Sequence, residues 1–218
     1  APAGLAAQTH GEFFGCPGVG RIDSTEQGLH RIRFAFVPGI LRAAAFLPGR
    51  FLIGEFGRID TLLNVAGMNK RMKVENYSAE LYDEIIDTNL RGMFLLTQAV
   101  GKHMIARRQG NIINIDSLNT YAPLKGVTPY AMSKAGVSMM TRGMAMEWGE
   151  HGVRVNAIAP GFFPTALSKK LWAMPKMQEW AIVNTPLRKL GEVEELVGAT
   201  IFLASDAGKF VTGQVIRV

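Results

Sequence analysis

Cysteine is nearly absent: Cys16 stands alone among 218 residues. An intrachain disulfide is excluded, and the count fits a reducing compartment, so the expected location is the cytoplasm. No apolar run approaches the roughly 20 residues that a membrane helix needs. The N-terminus lacks the charged-then-apolar pattern of a secretory signal. A membrane is therefore not an expected partner. Concentrated basic charge is missing too. The formal net charge is +6, but the basic clusters are short and scattered: Lys70-Arg71-Met72-Lys73, Arg107-Arg108, Lys169-Lys170 and Arg188-Lys189. A nucleic-acid-binding face would gather them, so they read as a solvated surface. Repeats and low-complexity tracts are lacking. What is present is 48% apolar content over a length suited to one domain with a sizeable core.

The chain is organised around the stretch Asn111 to Lys134. Isoleucines at 112, 113 and 115 form a short apolar run that suits a buried parallel strand. Thr128-Pro-Tyr130-Ala-Met-Ser-Lys134 then opens a helix, with Thr128 as the expected N-cap and Pro129 at the first helical position. Tyr130 and Lys134 are four apart and share a face of that helix. Ser117 lies where the strand ends, and ligand crevices of open α/β sheets lie outside the carboxyl ends of strands. Free tyrosine titrates near pH ~10, and a neighbouring ammonium is expected to lower that value. A tyrosine so tuned can give a proton to a carbonyl oxygen or take one from an alcohol. Ser117 can hold the same oxygen. Tyr-x-x-x-Lys alone is a common surface pair; the serine at the strand end makes it a constellation.

These residues resemble the catalytic positions of the short-chain dehydrogenase/reductase family, and the resemblance runs from about Phe56 to the last residue. It implies a Rossmann-type, doubly wound α/β sheet and a nicotinamide cofactor, NAD or NADP. Asn64-Val-Ala66-Gly67 resembles the family's Asn-Asn-Ala-Gly motif, with Val65 in place of the second asparagine. Asn64 is expected to bond backbone across neighbouring strands, and Ala66-Gly67 to let the cofactor approach closely. The resemblance makes Asn89 the catalytic asparagine, which kinks its helix and holds a water relaying protons to Lys134. It makes Lys134 and Tyr130 cofactor contacts as well. Pro160-Gly161 with Phe163 and Thr165 resembles the family's Pro-Gly turn, whose backbone and threonine hydroxyl meet the nicotinamide end. Residues 166–185 are the expected substrate lid. Arg71, Asn119 and Trp172 are candidate substrate contacts, Arg71 because a guanidinium can pair a carboxylate. No metal is expected. Asp116 departs from the family, where a small residue usually precedes the serine; a carboxylate there is costly unless paired.

Other elements follow from pattern. Ser78 should cap a long helix that ends by Gly110. The helix from Tyr130 to about Trp148 is apolar nearly all round, with Met132, Val137, Met139, Met140, Met144 and Met146. It should be buried on more than one side, facing the sheet and a second subunit in a homodimer or homotetramer. Gly191–Ser205 should be a further helix. Thr212–Val218 should be a last strand, cut where relatives continue Asp-Gly-Gly.

Residues 1–55 match poorly, and residues 56–218 form the catalytic part. In Gly15-Cys-Pro-Gly18-Val-Gly20 the glycines are spaced three and two, where the family has four and two. Pro17 sits inside the turn, and the run is read as a plain loop in preference to a phosphate cradle. Motif and periodicity vanish together, so residues 1 to about 54 are expected to be frame-shifted or otherwise non-homologous sequence. The chain is expected to be an oxidoreductase interconverting a secondary alcohol and a ketone. The runs Thr128–Lys134 and Asn156–Gly161, with Asn69-Lys-Arg, resemble the family's sugar-acid branch, which includes gluconate 5-dehydrogenase. A 3-oxoacyl-carrier-protein reductase is the alternative enzyme within the family, and a non-catalytic or defective family fragment lacking the dinucleotide loop is the alternative of a different class.

Overall fold

The computed structural model describes residues 19–22, 32–35, 57–165 and 168–218. The expectations for residues 1–18 lie outside these residues. Val19 and Gly20 fall within strand β1, Val19–Ile22.

Among the described residues, six strands form one sheet in the order of the chain. They are β1, β2 (Ile32–Ala35), β3 (Thr61–Asn64), β4 (Gly110–Ile115), β5 (Val153–Ala159) and β6 (Val215–Arg217). β1 pairs antiparallel with β2, and β2 to β6 are parallel. The architecture is Rossmann-like α/β, with an antiparallel edge strand that the sequence reading did not contain. β4 shows why its apolar run is continuous. Ile112 packs with Leu62, Val100, Met104, Met144 and Val155 on one face. Ile113, pointing the other way, packs with Leu63, Ile158, Leu196 and Leu203. Both isoleucines are fully buried, each worth about 1.5–3 kcal/mol.

The first face is covered by two helical segments. α1 (Ala79–Ile86) is capped by Ser78, whose hydroxyl accepts the Leu81 N–H at 3.2 Å. A π-helical turn over Asp87–Arg91 joins it to α2 (Gly92–Arg107). α2 ends at Arg108, which adopts the left-handed region at φ 53°. α3 runs Thr128–Trp148. Its cap is Val127 and not Thr128, and no side chain caps it. Val127 is buried and its carbonyl accepts the Ala131 N–H at 2.9 Å, so Thr128 is already helical. Within this one chain the burial of α3 is one-sided. Val137, Met144 and Ala145 are buried, whereas Met132, Met139 and Met146 are exposed at 50%, 63% and 89%.

After β5 come a single turn, α4 (Lys169–Trp172), and α5 (Pro175–Val183). α6 (Val197–Ala204) covers the second face, following a turn closed by a reciprocal Glu192–Glu195 capping box. No helix among the described residues is long and apolar enough to cross a membrane.

Candidate active site

β4 ends at Ile115, and its neighbours β3 and β5 end at the same edge. α3 starts just above that edge and brings Tyr130 and Lys134 to it. The Lys134 ammonium is buried and donates to the Ile115 carbonyl at 2.6 Å. It lies 5.8 Å from the Tyr130 ring centroid. Ser117 caps the short turn Leu118–Thr120, and its hydroxyl faces the phenol of Tyr130. Serine, tyrosine and lysine therefore meet as the spacing predicts.

Asn89 joins them through the π turn. The extra residue per turn swings it inward, and it is fully buried. Its Nδ2 donates to the Met68 carbonyl at 2.9 Å and to Ser133 Oγ at 3.0 Å. Its Oδ1 accepts the Met68 N–H at 2.7 Å. Ser133 donates in turn to the Tyr130 carbonyl at 2.7 Å. Ser133 and the Met68 backbone were missed in the sequence; Ser133 is signalled only by standing between Tyr130 and Lys134. Gly136 makes the approach feasible, since a Cβ there would come within 2.6 Å of Leu90.

Asn64 does not bond backbone across strands. Its Nδ2 donates to Thr97 Oγ1 and Asn114 Oδ1, both at 2.8 Å, and Asn114 donates to Thr141 at 2.9 Å. This buried polar ladder links α2, β3, β4 and α3. Ala66 and Gly67 follow β3. A Cβ on Gly67 would stand 3.7 Å from Lys134 Nζ and 3.6 Å from Asn89 Oδ1, which is ordinary contact.

Pro160 and Gly161 pack against the serine turn: the Pro160 carbonyl accepts the Leu118 N–H at 3.2 Å. The Phe163 carbonyl accepts from Ser168 Oγ at 2.9 Å and from Trp172 Nε1 at 3.2 Å. Thr165 Oγ1 is 3.1 Å from Ser168 Oγ. In this conformation these groups are engaged within their own turn. Trp172 is a buried post of that turn, edge-on to Phe162 at 5.6 Å, and not an open substrate contact. Arg71 is exposed and donates to the Lys125 carbonyl at 2.7 Å. Asn119 is turned to Ser117 and Leu124.

Burial dominates the electrostatics. The Lys134 ammonium is pushed down to about 8 by burial, against the pull of the Asp116 carboxylate. The Tyr130 phenol is pushed up, not down as its spacing to Lys134 suggested. Burial is the main cause; the Ser117 hydroxyl opposes it and the Asp116 charge adds to it. Asp116 is itself buried, and burial raises its carboxyl, with the Thr120 hydrogen bond and the Lys134 charge opposing.

The residues present fit a nicotinamide ribose. Among the described residues the three N–H donors of Lys134 meet one acceptor, Ile115, and Gly67 leaves room beside them.

The fold is a Rossmann-like α/β sheet with Ser117, Tyr130 and Lys134 gathered at its carboxyl edge. The chain belongs to the short-chain dehydrogenase/reductase family, and residues 50–218 match the family described as Enoyl-(Acyl carrier protein) reductase. It is 42% identical over 164 residues to gluconate 5-dehydrogenase of Gluconobacter oxydans, covering 75% of this chain and 64% of that one. It is 41% identical over 167 residues to a 3-oxoacyl-[acyl-carrier-protein] reductase of Thermotoga maritima, covering 77% and 67%. A solved gluconate 5-dehydrogenase from Burkholderia cenocepacia, in complex with NADP and tartrate, superposes with a TM-score of 0.79 at 38% identity, covering 81% and 69%. The matched stretch thus spans just under two thirds of the Gluconobacter enzyme.

Proposed function

We propose that this chain carries the catalytic part of an NAD(P)-dependent oxidoreductase that interconverts a secondary alcohol and a ketone, with a sugar acid such as gluconate as the alcohol. The observation that carries the reading is the convergence of Ser117, Tyr130 and Lys134 at the carboxyl edge of β4, with Asn89 behind them. A bound nicotinamide would supply or accept the hydride. The chain's own residues handle the proton. Tyr130 holds its proton at neutral pH, because burial and the Asp116 charge both favour the phenol. It is therefore poised to protonate a ketone oxygen. Ser117 donates to the same oxygen and steadies the charge developing there. Lys134 and Tyr130 would hold the ribose.

Relatives named gluconate 5-dehydrogenase and 5-keto-D-gluconate 5-reductase support the sugar-acid substrate. The Thermotoga relative supports a second reading, a 3-oxoacyl thioester substrate. The exposed Met132, Met139 and Met146 of α3 support a homodimer or homotetramer. The test is reduction of 5-ketogluconate and of a 3-oxoacyl thioester by the purified chain with NADPH and with NADH. Faster turnover of the keto acid sugar supports the first reading; turnover of the thioester alone supports the second.

A further inference from the structure

Asn119 follows Ser117 by two residues, inside the turn that Ser117 caps. Its Oδ1 accepts the main-chain N–H of Leu124 at 3.0 Å. That contact fixes the orientation of the amide, since only the oxygen can accept. The Nδ2 end then faces Ser117, 3.2 Å from its Oγ. The main-chain N–H of Asn119 reaches the same oxygen at 3.1 Å. A serine hydroxyl has two acceptor lone pairs and one proton. Both lone pairs are taken, so the proton is what Ser117 has left to offer.

We infer that Asn119 is a positioning residue: its two donors on one oxygen make Ser117 an obligate hydrogen-bond donor to the substrate oxygen. The inference rests on the alcohol–ketone reading above. It has a chemical consequence. A ketone oxygen, or the charged oxygen forming in the transition state, accepts from such a serine. A ground-state alcohol that needs to donate its own proton finds no lone pair there. The preference strengthens as negative charge grows on the oxygen, which is the requirement for rate acceleration.

Two variants separate this role from simple loop support. Asn119→Asp keeps an oxygen for the Leu124 N–H but places an acceptor where Nδ2 was, so the Ser117 proton turns to it. Asn119→Ala loses the side-chain donor and keeps the main-chain one. In ketone reduction with NADPH, Asn119→Asp should lower kcat about 100-fold and Asn119→Ala about 10-fold, with KM within about twofold of wild type. In a Ser117→Ala background, either substitution should change kcat by less than about twofold, because the residue acts through the missing hydroxyl. Losses that multiply in the double variants overturn the inference, as does Asn119→Asp with kcat within about twofold of an active wild type. A wild-type chain with no turnover is a different result: it contradicts the oxidoreductase reading itself, and the inference falls with it.

Discussion

Thr120 donates its hydroxyl to Asp116 Oδ1 at 2.7 Å, while Asp116 Oδ2 is buried and meets no hydrogen-bond partner among the described residues. Asp116 directly follows β4, two residues after Asn114, whose amide bonds Thr141 of α3. Its charge reaches Lys134 and Tyr130, and it feels Lys134 and Arg142 in return. The carboxylate thus keeps both the ammonium and the phenol protonated to higher pH. Asp116→Asn removes that charge with little change of shape. The rising limb of alcohol oxidation against pH should move to lower pH, because Tyr130 then ionises more readily. A pH–rate profile of kcat/KM measures it, and a limb that does not move contradicts the coupling.

Lys134 should make stability depend on pH in a defined window. Its folded value is about 8 against 10.5 unfolded. Below about pH 8 both states carry the proton, and burying the ammonium costs on the order of 3 kcal/mol. Between the two values the unfolded chain binds more protons, so stability rises with pH and the cost is removed. Lys134→Met should therefore be more stable than wild type at pH 7, and the gap should close towards pH 10. Denaturant unfolding of both proteins across this range tests it. A gap that is the same at every pH would show that the ammonium is not the cause.

Gly67→Ala should separate folding from cofactor binding. The new methyl meets Lys134 Nζ and Asn89 Oδ1 at ordinary contact distances, so thermal unfolding should stay within a few degrees of wild type. The methyl fills space beside the amine that the proposed ribose needs. Affinity for NADPH should fall about tenfold or more, measured by titration of nucleotide fluorescence. Unchanged affinity would remove Gly67 from the cofactor site.

Much of this site was legible in the sequence because it is local. Tyr130 and Lys134 share one helical face, and Ser117 ends an apolar strand; both follow from period and capping. The π turn at Asn89 was expected as a kink on resemblance alone, since no residue within Asp87–Arg91 breaks a helix. What escaped is non-local. Asn64 reaches Thr97 and Asn114 across 33 and 50 residues, which no spacing rule foresees. The Tyr130 shift runs opposite to what spacing suggests, because spacing shows the ammonium but not the burial. Trp172 looked like a lid residue because aromatic pattern alone does not distinguish an outward side chain from one tucked under Phe162.

The central claim is that Tyr130 moves the proton of a ketone–alcohol interconversion. It is tested most directly by the rate of NADPH consumption with 5-ketogluconate, comparing wild type with Tyr130→Phe. The substitution removes the phenolic oxygen and leaves the ring, so the fold should be retained. The account predicts measurable turnover for wild type and a loss of about 10²–10⁴-fold in kcat for Tyr130→Phe, with NADPH affinity changed far less. A Tyr130→Phe protein that reduces the ketone at a rate close to wild type would contradict it.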